Sequence, residues 1–501
     1  MTPDTELAPR EEYCDVVIVG SRLAGACAAA HFAKAGLRVV ALDRSRFPSD
    51  QLSTHLLFPN GIRELERMGA LEGILAKNPA RSPWLSLNVG DDITVNERWR
   101  ANGDIDYCMC VPRLLQDLEL VKAARAAGAD VREKHKVADV LWRGGRASGV
   151  RFTDADGNAG ILHAKLVIGA DGRRSSVAAA VGAWAPYRAS RNGRALIFRY
   201  ADDPRVGTRD GETIFQWRDE DSFAFVFPSA PVGKALCLFM GPVEEVARAR
   251  KDPEGYWAGK LVQHPGMAKQ VAGFTNLTPL RSTGETTAFF RASSGPGWAL
   301  LGDAGHFKDP VIGQGQRDAL WTGRAIAEAT AHLLDEPAAL DAALRRWEAE
   351  RDGECLHAYH LGNLETEIRP VSPALTELLR RASDRGESPD IGDLFGRART
   401  MPDVVTVPRM VAAAAQAFRR GTGASPRPTM LRDAVQELRV HLRVRQEIRA
   451  GRFRSTRLIN GSEWPDAQPP AYRATGGGAG TSAPKDTVDV LASTKTKEIA
   501  A

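Results

Sequence analysis

Three short segments of the chain place glycines and a carboxylate directly after an apolar run. In the first, the run 16–19 is followed by Gly20-Ser21-Arg22-Leu23-Ala24-Gly25, and the next apolar run ends at Asp43. A glycine at position 20 permits a tight turn, and Gly25 permits close packing of the following helix on the strand. The free N–H groups and positive dipole of that helix would bind a pyrophosphate, and the Asp43 carboxylate would accept hydrogen bonds from a ribose. This segment therefore predicts a dinucleotide site.

The second and third segments repeat the arrangement further along the chain. The run 166–168 leads to Asp171 and Gly172, and the run 299–301 leads to Gly302 and Asp303. Each puts a carboxylate where the chain can approach a ligand closely. The third segment continues into a predicted helix through a Pro-x-x-Gly-x-Gly loop, which contains Pro310, Gly313, Gln314 and Gly315. The N-terminus of that helix is a second position that favours an anion.

The elements that must position these loops follow from hydrophobic patterning. Apolar runs at 15–20 and 37–42 flank an Ala-rich helix at 23–35, which predicts a βαβ unit with parallel strands and a right-handed crossover. A helix is expected at 113–127, a hairpin at 141–152 and a long helix at 314–334, and the chain beyond is helical to about 457. Between 195 and 290, apolar segments rich in Phe and Trp, the last at 286–290, predict the strands of one sheet. The fold class is therefore α/β, with a Rossmann-like domain, an inserted and mostly antiparallel sheet, and C-terminal helices.

With all three segments in this order, the chain resembles flavoprotein monooxygenases of the para-hydroxybenzoate hydroxylase type, whose fold is shared by geranylgeranyl reductases and flavin-dependent halogenases. The resemblance covers about residues 14–370 and implies FAD as cofactor. It implies that Gly20 and Gly25 flank the pyrophosphate and that Asp43 holds the adenosine ribose.

The later segments have their own implied roles in this family. Asp171 and Gly172 would lie behind the pyrophosphate, close to where NAD(P)H is admitted as co-substrate. Asp303, after Gly302, would bond the ribityl chain. The loop 310–315 would face the flavin ring, and the helix dipole would favour negative charge at the N1–O2 edge of that ring.

Three arginines are further expected contacts of the cofactor, and two positions depart from the family pattern. Arg113 matches an arginine that opens a helix and reaches FAD, although an exposed helix arginine is the alternative. Arg44, next to Asp43, is a further expected contact. Arg22 stands at the middle glycine position, where it could contact phosphate itself. Ala178 stands where the family often has arginine, which puts conventional NAD(P)H handling in doubt.

Two histidines are candidate catalytic residues. His55 follows the second predicted strand and, by resemblance, approaches the flavin ring, where it could orient substrate or relay a proton. His306 lies beside the flavin loop. The alternative for both is a structural histidine that is held by hydrogen bonds.

The resemblance implies an FAD-dependent monooxygenase. Such an enzyme inserts one oxygen atom of O₂ into an aromatic or polyketide-like small molecule through a flavin C4a-hydroperoxide, with electrons from NAD(P)H or from a separate flavin reductase. A reductase of the geranylgeranyl reductase kind is the first alternative, favoured by Asp309-Pro310. A halogenase is less favoured because a WxWxIP motif is missing. A non-catalytic flavin-fold protein is disfavoured by the intact acids Asp43, Asp171 and Asp303.

Composition excludes several other classes of function. The chain has 501 residues with 67 Lys and Arg against 62 Asp and Glu, an excess of five that is too small to indicate nucleic acid as a partner. Its six cysteines have no CxxC pair, and Cys108 and Cys110 are expected on one face of a strand. The N-terminus does not resemble a signal peptide, and no apolar run is long enough for a transmembrane segment, so we expect a cytoplasmic protein.

The predicted organisation is one flavin domain interrupted by a substrate domain. We expect an N-terminal extension at 1–13, the two parts of the FAD domain at 14–190 and 291–370, and a substrate sheet at 191–290. A helical region follows at 371–460, in which Val435, Leu438 and Leu442 would form the packed face of an Arg-rich helix. The composition of 461–501 predicts a disordered tail.

Overall fold

The computed structural model describes residues 10–50, 53, 55–90, 92–190, 194–365, 371–388, 390–420 and 427–453. The predicted tail at 461–501 lies outside these residues, as do residues 1–9 of the expected N-terminal extension. Within the described ranges, no helix combines the length and the apolar composition that crossing a membrane requires.

The first part of the chain forms these elements: β1 (Arg10–Val19), α1 (Leu23–Lys34), β2 (Val39–Leu42), β3 (Leu56–Leu57), α2 (Pro59–Met68), α3 (Leu71–Leu75), β4 (Trp84–Val89), β5 (Ile93–Arg98), β6 (Met109–Cys110), α4 (Arg113–Ala126), β7 (Asp130–Arg132), β8 (Lys136–Arg143), β9 (Arg146–Thr153), β10 (Ala159–Gly169), α5 (Ser176–Ala180) and β11 (Arg188–Ala189). The middle part forms β12 (Ala195–Asp202), β13 (Thr213–Asp219), β14 (Ser222–Pro228), β15 (Lys234–Gly241), α6 (Glu245–Lys251), α7 (Pro253–Gln263), α8 (Pro265–Val271), β16 (Arg281–Thr283) and β17 (Phe289–Phe290). The last part forms β18 (Ser294–Gly295), β19 (Trp298–Leu300), β20 (His306–Phe307), α9 (Gly315–Thr330), α10 (Pro337–Glu365), α11 (Pro373–Arg385), α12 (Ile391–Phe395), α13 (Met401–Val404), α14 (Val407–Arg420) and α15 (Arg427–Ala450).

The first sheet has the strand order β18-β19-β10-β1-β2-β7, and the hairpin β8–β9 pairs with β10. Strand β1 runs parallel to both β10 and β2, as the βαβ pattern predicts. Val16 and Ile18 belong to a core under α1, α4 and α9, whereas Val17 and Val19 belong to a core on the opposite face. Because both faces of β1 are covered, its run of apolar residues is continuous rather than alternating.

The second sheet has the order β16-β12-β15-β14-β13-β4-β5 and is antiparallel except where β13 pairs with β4. The segment 286–290 was expected in this sheet, but that prediction is wrong. Its strand β17 pairs with β11 and β20 in a separate small sheet. The second sheet instead gains β4 and β5, which come from far earlier in the chain.

Side chains alternate across the second sheet, as the period of a strand requires. Phe225 and Phe227 face the core shared with the C-terminal helices, whereas Phe215, Trp217 and Phe239 lie under α7 and α8. The aromatic residues of this sheet are therefore divided between two separate cores.

The C-terminal helices extend the core on the first of these faces. Leu379, Leu394 and Met410 pack there with residues of β4, β14 and β15. The predicted packed face of α15 is wrong, because Val435 and Leu442 are exposed and Val444 is buried in their place.

Candidate active site

The three predicted loops meet at one edge of the first sheet. Val19 at the end of β1 pairs with Gly169 at the end of β10, and Gly169 pairs in turn with Leu300 of β19. The strands run parallel, so their carboxyl ends place the loops that follow side by side. A side chain at Gly20 would meet the carbonyl oxygen of Ala170 at 2.5 Å, and its φ of +95° also favours glycine. The three loops are therefore neighbours at this edge of the sheet.

The first loop presents free backbone donors beside a fixed carboxylate. Helix α1 begins without a side-chain cap, so its first N–H groups are available to a ligand. Asp43 is buried, and its two carboxylate oxygens accept hydrogen bonds from the backbone N–H groups of Ser21 (2.7 Å) and Ser45 (2.8 Å). These bonds hold the carboxylate against the glycine loop.

In the second loop, Asp171 caps the short helix α5. Its Oδ2 accepts hydrogen bonds from the backbone N–H (2.7 Å) and the hydroxyl (2.9 Å) of Ser176. Its Oδ1 is buried and has no hydrogen-bond partner among the described residues. Gly172, at a φ of +83°, turns the chain away directly afterwards.

In the third loop, Asp303 is half-buried and has neither a hydrogen-bond nor an ion-pair partner in the described part of the chain. Burial raises the pKa of this carboxyl, while the positive charges of Arg173 and Arg113 act in the opposite direction. Gly302 packs its backbone close to Ala24 of α1. Among the described residues, the Asp303 carboxylate therefore has no hydrogen-bond donor and is available to a ligand.

The loop from Pro310 to Gly315 leads into α9. Gly313 adopts a φ of +63°, and a side chain there would meet the ring of Phe58 at 2.9 Å. Gln314 stands before the first turn of α9 and gives no side-chain cap, so this helix also begins with free N–H groups. The predicted second anion site at this helix start stays a prediction, and the uncapped N–H groups are compatible with it.

The arginines form a cluster around Asp117 on α4. Arg113 binds this carboxylate through Nε (2.7 Å) and an Nη atom (2.9 Å), and Arg22 donates to it at 2.7 Å. Arg22 also donates to the carbonyl oxygen of Ser49 at 3.2 Å. Arg113 is buried, so it is not the exposed helix arginine that was the alternative. Arg44 is exposed.

A mostly apolar cavity with about 30 Å³ of free space lies between the second sheet and the loop 310–313. The sheet contributes alternate residues of neighbouring strands, which are Leu85, Ile214, Phe225, Phe227, Leu238 and Met240. Leu56, Phe58 and Phe395 close other sides, and Gln216 adds an amide. Among the lining residues Trp99 has a buried indole N–H with no partner in the described chain. The lining of this cavity suits contact with uncharged, largely apolar groups, and its indole N–H and amide offer two polar contacts.

His55 is buried beside this cavity, one residue before Leu56. Its backbone lies in the left-handed region, with a φ of 60° that non-glycine residues seldom adopt. Its Nδ1 lies 3.0 Å from the hydroxyl of Tyr200, and its ring meets the edge of Phe198. Burial raises the pKa of Tyr200 far above its ordinary value, so the phenol keeps its proton at neutral pH.

His306 lies away from the cavity, in a buried charge cluster. Its ring stacks on Phe290, and burial lowers its pKa to about 3. Asp318 in the first turn of α9 is the centre of the cluster and pairs with Lys308 and with Arg397 at 2.7 Å. These positive charges lower the pKa of Asp318 despite its burial. The position of His306 favours the structural alternative over catalysis.

The polar groups of these three loops suit a bound FAD. The uncapped start of α1 and the buried, unpartnered Oδ1 of Asp171 offer polar groups where a pyrophosphate and its hydration would lie. Asp303 offers an acceptor for a hydroxylated chain, and α9 directs a positive helix terminus at the cavity.

The comparisons with known proteins agree with this geometry. Residues 13–352 match the family described as FAD binding domain, and the chain belongs to that family. It is an FAD-dependent oxidoreductase. It is 29% identical over 328 residues to a menaquinone reductase of Mycolicibacterium smegmatis, which covers 63% of this chain and 75% of the relative.

Two further proteins are similar to this chain. A rifampicin monooxygenase of Streptomyces venezuelae is 27% identical over 315 residues, or 60% of each chain. The solved structure of a flavoprotein/dehydrogenase from Cytophaga hutchinsonii superposes with a TM-score of 0.67 over 82% of this chain and all of the other, at 20% identity. This last likeness concerns the fold alone.

Several site residues were not predicted from the sequence. Asp117 had an available signal, because it lies four residues after Arg113 on a predicted helix, the spacing of an ion pair. Tyr200, Trp99 and Gln216 carried no local signal that separates them from neighbouring strand residues. Phe395 comes from a segment outside the family match.

Proposed function

We propose that the protein is an FAD-dependent monooxygenase that acts on a small, uncharged aromatic molecule. One atom of O₂ would enter the substrate and the other would leave as water, with two electrons supplied by NAD(P)H directly or through a separate flavin reductase. The observation that carries the proposal is the apolar cavity against the loop 310–313.

The chain's own residues would hold FAD at the edge of the first sheet. The start of α1 would bind the pyrophosphate, Asp43 the adenosine ribose and Asp303 the ribityl chain. The flavin, when bound, supplies the reaction with O₂ and the transfer of oxygen.

The cavity would contribute orientation and exclusion of water. Its apolar walls leave few positions for water beside the reacting atoms, which protects reactive species from hydrolysis. Gln216 and Trp99 would bind the polar group of the substrate and fix which carbon faces the loop. Tyr200 and His55 would hold a proton between Oη and Nδ1 at the cavity edge and deliver it to or take it from a substrate hydroxyl.

A reductase is the second candidate function. The similarity to a menaquinone reductase supports it, since that relative is 29% identical. A reductase would use the same cavity and the same cofactor, but it would turn over without O₂.

The two candidates differ in their need for oxygen. FAD-loaded protein would be incubated with NADPH, or with a separate flavin reductase and NADH, and a panel of phenols and naphthols, with and without O₂. A monooxygenase consumes O₂ in step with a product that is heavier by one oxygen atom. Substrate-dependent turnover that is undiminished without O₂ would overturn the proposal and favour the reductase.

A further inference from the structure

The segment 390–399, which we call the clamp, joins the second sheet to the flavin loop. It follows α11, contains α12 and ends before α13. It lies beyond residue 352, where the family match ends.

One side of the clamp is bound to β5 and the residues after it. Glu97 is buried, and its carboxylate accepts hydrogen bonds from the backbone N–H groups of Gly392 (2.6 Å) and Ile391 (3.3 Å). Asp393 receives Arg100 through two nitrogens, at 2.9 Å and 2.6 Å. Charge-assisted bonds of this kind are stronger than neutral ones and set the orientation of the segment.

The other side is bound to the start of α9. The side-chain amide of Gln314 donates to the carbonyl oxygen of Phe395, and Arg397 pairs with Asp318 at 2.7 Å and with Glu354 at 3.5 Å. Arg397 adopts a φ of +55°, a strained conformation for a side chain of this size. Because Gln314 and Asp318 flank the first turn of α9, the clamp and the flavin loop are held as one unit.

Between these two anchors, Phe395 forms part of the cavity wall, together with the loop 310–313 and Trp99. The phenyl ring is half-buried, and it is the clamp residue that reaches the cavity. The phenyl ring is therefore part of the wall that an apolar group in the cavity would contact.

We propose that the clamp is the specificity element of this site, and that Phe395 sets the maximum length of an apolar substituent on an uncharged aromatic ligand. The nature of the substrate at this site rests on the proposed function. The length limit is tested independently of it, because the experiment measures ligand binding and not turnover. The clamp's anchors on β5 and α9 hold Phe395 beside the loop 310–313.

The test uses FAD-loaded protein and a series of para-alkylphenols, from para-ethylphenol to para-hexylphenol, with affinity measured by titration calorimetry. In the wild type, affinity should rise about fourfold per methylene up to a limiting length and then fall. Phe395→Ala and the milder Phe395→Leu should move the limit to a longer chain and raise the affinity of the longest phenol at least tenfold. Phe395→Trp should move the limit to a shorter alkyl chain. Phe418→Ala, a change on an exposed face of α14, should leave the series unchanged.

An unchanged limit in both Phe395→Ala and Phe395→Leu would overturn the proposal, and so would a wild type that binds none of the phenols. Failure of the proposed function looks different. Phenols would then bind with a limit that Phe395 controls, yet no O₂ would be consumed with NADPH or with a flavin reductase.

Discussion

The guanidinium of Arg22 lies 2.7 Å from the carboxylate of Asp117, which ties the glycine loop to helix α4. Arg22 occupies the position where the glycine pattern has its middle glycine. Its side chain is directed to Asp117 and Ser49, and it leaves the backbone donors of α1 uncapped. The same carboxylate binds Arg113, so one buried acid balances two arginines.

Removal of this acid should destabilise the fold strongly. Asp117→Asn leaves two arginines near each other without their shared counter-charge, and we expect the free energy of unfolding to fall by about 3 kcal/mol. Denaturant titration of the apo protein measures this. Asp130→Asn, which breaks a surface pair with Arg132, is the control and should cost less than about 0.5 kcal/mol. If both variants lowered the free energy of unfolding by the same amount, Asp117 would not be an important counter-charge for the two arginines.

Asp303 should matter for FAD and not for folding. Since its carboxylate has no partner in the described chain and burial raises its pKa, Asp303→Asn should leave the stability of the apo protein unchanged or slightly higher. The dissociation constant for FAD should rise about tenfold, because Asn replaces one of the two charged acceptor oxygens with an N–H donor and removes the negative charge. Flavin fluorescence quenching measures the constant, with the exposed Asp156→Asn as control. Unchanged FAD affinity would remove Asp303 from the site.

His306 should make the fold sensitive to acid. Unfolded histidine takes up a proton near pH 6.5, whereas folded His306 stays neutral until about pH 3. Between these values the unfolded state binds one more proton, so this residue lowers the free energy of unfolding as pH falls, by about 1.4 kcal/mol per pH unit. The His306→Gln variant should show a slope shallower by that amount in denaturant titrations between about pH 6.5 and pH 4.5. His163→Gln, at a partly exposed position, should keep the wild-type slope.

The pair of Tyr200 and His55 should affect turnover and leave cofactor binding intact. Tyr200→Phe removes the hydroxyl that lies 3.0 Å from Nδ1, and we expect kcat to fall about a hundredfold with little change in KM or FAD affinity. The matched control is Tyr256→Phe, whose hydroxyl donates to Glu245 on the other side of the second sheet. If both variants retain wild-type kcat, the pair has no role in proton transfer.

What could be predicted from sequence was mainly local. The three loops were found because each combines a buried parallel strand with glycine and a carboxylate over a few residues, and parallel pairing then brings them together. The hairpin 141–152 and helix 113–127 follow from equally local patterns, and the structure contains both.

The parts that were missed depend on contacts between distant segments. The segment 286–290 reads as a strand, but its partners β11 and β20 cannot be identified from its own residues. The face of α15 was misassigned because Val435 and Leu442 repeat at helical spacing, while packing selects the face that carries Val444 and the buried Glu447. Phe395 is held at the cavity by anchors that are distant in sequence, one of them Glu97 of β5, which lies about 300 residues earlier.

We propose that this chain uses FAD to place one oxygen atom of O₂ in an organic substrate. The most direct measurement is a single turnover of reduced, FAD-loaded protein with isotopically labelled O₂ and a phenol that binds the cavity. The account predicts a product that contains one labelled oxygen atom, with loss of the label when unlabelled O₂ is used. A product without labelled oxygen, or one that forms equally well in the absence of O₂, would contradict it.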